Sequence, residues 1–201
     1  MTKNNRDYRD INEPLETEQN YMVTGYATTF DRYPLMIIDG IQYYEQIEPT
    51  AFIGTDTSDV IMQYDHTGKV FARTNNKTLI IEVDDKGLKV TADLSKTNAS
   101  REMYQEIKEK MITKMSYAFS VETERYDTET RTRHITKVKK VYDVSSVSRP
   151  ANLNTEITTE ISARTYLNGL LDEQNRIKRA RKRAEAEYTY LLKLNQTKGS
   201  I

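Results

Sequence analysis

Three polar side chains in this 201-residue sequence sit where chemistry could be built on them. His66 lies in Asp65-His66-Thr67-Gly68, which reads as a turn directly after a short apolar strand at 60–64. Imidazole is the side chain whose ordinary titration range suits proton transfer near neutrality. Ser116 opens a strand directly after a helix, in Lys114-Met115-Ser116-Tyr117-Ala118-Phe119. Such a junction can hold a hydroxyl exposed beside a sheet edge, as a nucleophile requires. Asp143 interrupts the most apolar part of a long strand, Val141-Tyr142-Asp143-Val144-Ser145-Ser146-Val147. A carboxylate there must be paired, exposed on one face, or at work. Orienting a histidine ring and stabilising its protonated form is one such task. The plain alternatives are a solvated turn for His66, an ordinary strand start for Ser116 and a salt bridge for Asp143. The chain order His66, Ser116, Asp143 permits a Ser–His–Asp arrangement, but spacing alone does not bring the three together.

Composition narrows the chemistry. The chain has no cysteine, so there is no disulfide framework, no thiolate zinc site and no cysteine nucleophile. With only two histidines, His66 and His134, a multi-histidine metal site is nearly excluded. His134 lies in Arg131-Thr132-Arg133-His134-Ile135, on a strand that reads as exposed, and a surface histidine is its plain reading. Gly25 and Gly40 are isolated, and no glycine-rich phosphate loop occurs. No pair of carboxylates stands out. Neither a cofactor nor a metal is expected. Lysine plus arginine total 30 and aspartate plus glutamate total 30, so the net charge is zero. That excludes a chain-wide field for nucleic acid. No apolar run approaches a membrane span, and residues 1–20 hold no secretory signal. A soluble, cytoplasmic protein is the expectation.

The elements that must position these residues are mostly β. A hydrophobic content of 37% suffices for one core if some segments stay outside it. Residues 1–19 read as a loose polar leader. Residues 21–30 are rich in β-branched and aromatic residues and read as a strand. Asp39-Gly40 separates short β-prone pieces at 35–38 and 41–47, a hairpin signal. Leu88, Val90, Ala92 and Leu94 alternate with Lys89, Thr91 and Asp93, which predicts a hairpin with residues 79–83 and one buried face. A helix follows, with Asn98 as its cap and Met103, Tyr104, Ile107 and Met111 as its core stripe. Two long extended segments come next, 116–126 and 131–148, ending at Pro150. Beyond Asn154 the pattern turns helical. Arg176, Lys178, Arg179, Arg181, Lys182 and Arg183 form a basic cluster, with an apolar patch at Tyr188, Leu191, Leu192 and Leu194. The expected architecture is a mainly β, barrel-like α+β domain over 20–161, with a leader at 1–19 and a basic helical tail at 162–201.

Several segments together resemble a known family. They are Gly25-Tyr26-Ala27, Glu45-Gln46-Ile47-Glu48-Pro49-Thr50-Ala51-Phe52, Asp65-His66, Gly87-Leu88-Lys89-Val90, Lys114-Met115-Ser116-Tyr117-Ala118-Phe119 and Asp143-Val144-Ser145-Ser146-Val147-Ser148-Arg149-Pro150-Ala151-Asn152. Their order and approximate spacing are similar to those of the prohead maturation proteases of tailed bacteriophages, over about residues 20 to 161. Thr50 and Ala72 stand where that family often has glycine. The resemblance implies a fold similar to that of assemblin, the herpesvirus capsid maturation protease, with a closed or partly open β-barrel. It also implies a serine endopeptidase. His66 matches the general base and Ser116 the nucleophile. Asp143 falls where the family usually has glutamate or another acidic residue. Assemblin uses a second histidine as third member, so His134 competes with Asp143. Assemblin also places the oxyanion donor in the loop after Asp143. Pro150 has no N–H, so the backbone of Arg149 or Ala151 would serve.

The implied substrates are the scaffold protein and the leader of the major capsid protein, inside an assembling prohead in the bacterial host cytoplasm. Such enzymes often cut themselves, and the leader and tail are natural places for that. Assemblin-like enzymes dimerise, so a homodimer is among the expected partners. A membrane is not. The alternative is a non-catalytic capsid-associated scaffold or assembly protein with the same fold. Nucleic-acid binding through the tail is a weaker third reading, since the whole chain carries no net charge.

Overall fold

The computed structural model describes residues 6–11, 14–38, 40–147, 169, 176 and 178–188. The chain divides into two units, residues 1–159 and 160–201. In chain order the first unit's strands are β1 (Asp7–Ile11), β2 (Glu16–Thr17), β3 (Met22–Thr29), β4 (Tyr33–Ile38), β5 (Ile41–Ile47), β6 (Ile61–Tyr64), β7 (Thr67–Arg73), β8 (Leu79–Val83) and β9 (Gly87–Asp93). Helix α1 (Asn98–Lys108), β10 (Lys114–Asp127) and β11 (Thr132–Val147) follow. In the second unit, residues 178–188 are helical and exposed.

Two sheets carry the first unit. One has seven strands in the order β1-β10-β11-β5-β4, with β6 pairing β11 and β7 pairing β6; the other runs β2-β3-β9-β8. Among the described residues the strands do not close into one barrel, so the α+β class holds, while of the closed or partly open barrel expected above the closed form is not seen. The reason lies in the ends: β1, β4 and β7 finish the first sheet and β2 and β8 finish the second, with no ladder joining them. The core unites both sheets and the helix, from Val23, Leu88 and Val90 through Met103 and Ile107 to Met62, Met115 and Val144. The alternating face of β9 is buried as its pattern predicts.

β11 is the spine. Its length lets one edge pair with β10 along nearly its whole run, while the other edge is shared. Residues 132–135 pair in parallel with β5, and residues 143–146 pair in parallel with β6. The described part of the polar leader is held in sheets: β1 pairs antiparallel with β10, and β2 with β3. Thr97, not Asn98, caps α1, its hydroxyl accepting the Ser100 N–H at 3.0 Å. Met111 lies beyond the helix and is exposed, because the chain turns at Lys110, in the left-handed region at φ 59°.

Candidate active site

The three sequence candidates stand on two paired strands and the loop after a third. β10 carries Ser116 and β11 carries Asp143, and the loop after β6 carries His66. The register sets Ser116 opposite Ser145, Ala118 opposite Asp143, and Ser146 opposite Tyr64 at the end of β6. The residue after Tyr64 must leave the sheet. Asp65 and His66 do so with φ of 45° and 58°, in the region that side chains rarely adopt. That turn throws the imidazole back over β11 toward β10.

The result is a continuous relay. Asp143 Oδ1 lies 2.5 Å from His66 Nδ1, and His66 Nε2 lies 2.8 Å from Ser116 Oγ. With Nδ1–H donating to the carboxylate, Nε2 presents its lone pair to the hydroxyl, which is the tautomer a general base needs. Asp143 is buried and the His66 side chain is 14% exposed, so their interaction is little screened by water. The His66 and Tyr8 rings form a T-shaped pair with centroids 4.8 Å apart.

Ser116 is not the exposed hydroxyl that a helix-to-strand junction suggests. It is fully buried, because β1 runs along the free edge of β10. Its Oγ donates to the Arg9 carbonyl at 2.9 Å. The hydroxyl has one proton, so Arg9 O and His66 Nε2 compete for it.

Behind β1 lies a buried ion cluster that the sequence reading missed. Glu45 is completely buried and receives Arg9 Nε and Nη2 at 2.5 and 2.8 Å, Arg133 Nη1 at 2.9 Å and the Tyr33 hydroxyl at 2.5 Å. Burial, the largest influence, pushes the Glu45 carboxyl up, but Arg9 and Arg133 outweigh it and draw it down to about 2. The signal was present in β5: Tyr43, Glu45 and Ile47 share the buried parity of that strand. The cluster anchors Arg9, and hence the strand that covers Ser116.

His134 is not part of the relay. Its Nδ1 lies 2.8 Å from Glu48 Oε1, in the half of β11 that pairs with β5, and its side chain is only 12% exposed rather than on the surface. Arg149 and Ala151, the expected oxyanion donors, lie outside the described residues. Among the described residues no cluster of potential metal ligands occurs, and no helix is long and apolar enough to cross a membrane.

A hydroxyl, an imidazole and a carboxylate in this geometry can deliver an activated oxygen nucleophile to an acyl carbon. No curated protein and no solved structure matches the chain. The sequence pattern of one family, described as caudovirus prohead serine protease, matches residues 9–169, a span that holds Arg9 and all three members of the relay. The chain belongs to that family of phage head-maturation serine proteases.

Proposed function

We propose that this protein is a serine endopeptidase that cleaves the scaffold protein, the leader of the major capsid protein, or both, inside the assembling prohead. The observation that carries the reading is the relay of Asp143, His66 and Ser116 at 2.5 and 2.8 Å. Ser116 Oγ attacks the scissile carbonyl carbon as His66 Nε2 takes its proton. Asp143 holds the ring and offsets the imidazolium charge. The tetrahedral adduct collapses, the C–N bond breaks, and the imidazolium gives its proton to the leaving amine. Water then attacks the acyl-enzyme, losing a proton to His66, and restores the serine. Backbone N–H groups of Arg149 or Ala151 are our assignment for the oxyanion. We keep the assemblin-like architecture as the fold reading.

Self-cleavage belongs to the same proposal. What supports it is the seat of β1, whose Arg9 carbonyl already rests against Ser116 Oγ. That hydrogen bond engages the carbonyl oxygen and competes with His66 for the serine proton, so the leader must shift before any acyl transfer. The exposed basic helix at 178–188 suits acidic stretches of scaffold.

The test is co-expression of the full chain with the head genes. Ser116→Ala is expected to leave scaffold and capsid precursors uncut while proheads still assemble. Identical cleavage patterns from wild type and Ser116→Ala would overturn the protease reading in favour of a non-catalytic assembly protein.

A further inference from the structure

The relay is joined by a fourth side chain, a second hydroxyl. Ser145 is fully buried on β11, directly opposite Ser116 in the ladder. Its Oγ donates to Asp143 Oδ1 at 3.0 Å, the same oxygen that meets His66 Nδ1. Its Oγ also accepts the backbone N–H of His66 at 3.2 Å. One small side chain thus touches the acid through its proton and the base's main chain through its lone pair.

Both contacts answer a physical need. Asp65 and His66 sit consecutively in the left-handed region, which side chains rarely adopt. Such a conformation persists only where neighbours over-determine it. Two consecutive N–H groups tie this turn to β11: Asp65 to the Ser146 carbonyl at 3.1 Å, and His66 to Ser145 Oγ. The first tie is main chain to main chain and survives any substitution at Ser146. The second exists only because residue 145 has a hydroxyl. The carboxylate has a parallel need, since a buried Asp143 could rotate about its terminal torsion and present either oxygen to the imidazole. The Ser145 proton selects Oδ1.

We propose that Ser145 is a positioning residue that locks the Asp143 carboxylate and the His66 backbone into one arrangement, and so holds His66 in the tautomer that can accept the Ser116 proton. This rests on the catalytic reading above, in which Asp143 orients His66.

The test uses the full chain with isotope-labelled histidine. Only two histidines are present, so the ring nitrogens of His66 and His134 can be read separately by long-range proton–nitrogen NMR, without a substrate. The wild type is expected to show His66 with a protonated Nδ1 and a bare Nε2. Ser145→Ala is expected to mix the two tautomers, with a shift of roughly tenfold in their ratio, the size of one lost hydrogen bond to a charged group. Ser145→Thr, which keeps a hydroxyl, is expected to restore the wild-type spectrum. His134 stays unmoved throughout, which separates this effect from general loosening. Asp143→Ala distinguishes the two levels. If it leaves the His66 tautomer unchanged, the catalytic reading falls. If Asp143→Ala disturbs His66 while Ser145→Ala does not, the role given to Ser145 is wrong and the relay stands.

Discussion

Asp143→Asn exchanges a carboxylate for an amide of nearly the same size, so packing is preserved and charge is removed. Ser145 donates its proton to Oδ1 at 3.0 Å, which favours an oxygen, not an NH₂, at that place. The asparagine oxygen then goes on accepting from His66 Nδ1, and the tautomer survives. What is lost is a negative charge that sits 2.5 Å from the ring nitrogen. With charge centres about 4 Å apart and an effective dielectric of about 20, that attraction is about 4 kcal/mol. The imidazolium forms as Ser116 attacks, so the loss falls on the transition state and amounts to about a thousandfold in rate. Were the amide to turn its NH₂ toward His66, the tautomer would reverse and the fall would approach about ten-thousandfold. The assay is the initial rate of purified full-length protein on purified scaffold precursor, with products identified by mass spectrometry and Ser116→Ala as the zero. His134→Ala is the control, because His134 bonds Glu48 in the other half of β11 and should keep the wild-type rate. An Asp143→Asn rate within tenfold of wild type, or a His134→Ala rate as low, would refute this reasoning.

The remaining predictions concern stability. Glu45 has a folded pKa of about 2, below its ordinary value near 4.5, so its contribution is present above pH 4.5 and is lost as pH falls toward 2. Urea unfolding across that window should show about 3 kcal/mol of lost stability, and Glu45→Gln should flatten this dependence at the cost of a less stable protein at neutral pH. Gly87→Ala would set a Cβ 2.0 Å from the Thr28 carbonyl oxygen, at the irregular step between β3 and β9. The backbone on both sides would have to move, so a loss of several degrees in Tm by calorimetry is expected, and an unchanged Tm would show that the two strands separate easily.

Parts of this protein were legible from residues alone. The alternation in residues 88–94 and the Asp39-Gly40 signal announce a buried strand face and a hairpin, because side-chain period and turn chemistry are local properties. Absence of cysteine and scarcity of histidine restrict the chemistry before any fold is known. The residue types His66, Ser116 and Asp143 could likewise be named, and the order of motifs around them pointed to the family that the chain belongs to.

Other features were illegible for definite reasons. The leader is polar, yet Arg9 is buried, because the charge that compensates it, Glu45, lies 36 residues away. The choice between Asp143 and His134 is invisible in one strand of 16 residues. Which of the two lies against His66 follows from which half of β11 pairs with β6 and which with β5. The burial of Ser116 depends on β1 adding to the edge of β10, a pairing between segments about a hundred residues apart. The sequence by itself determined which groups could react. The tertiary structure decided that they meet, since hydrogen-bonding distance is a property of strand register, and register is settled by the whole sheet rather than by any one segment.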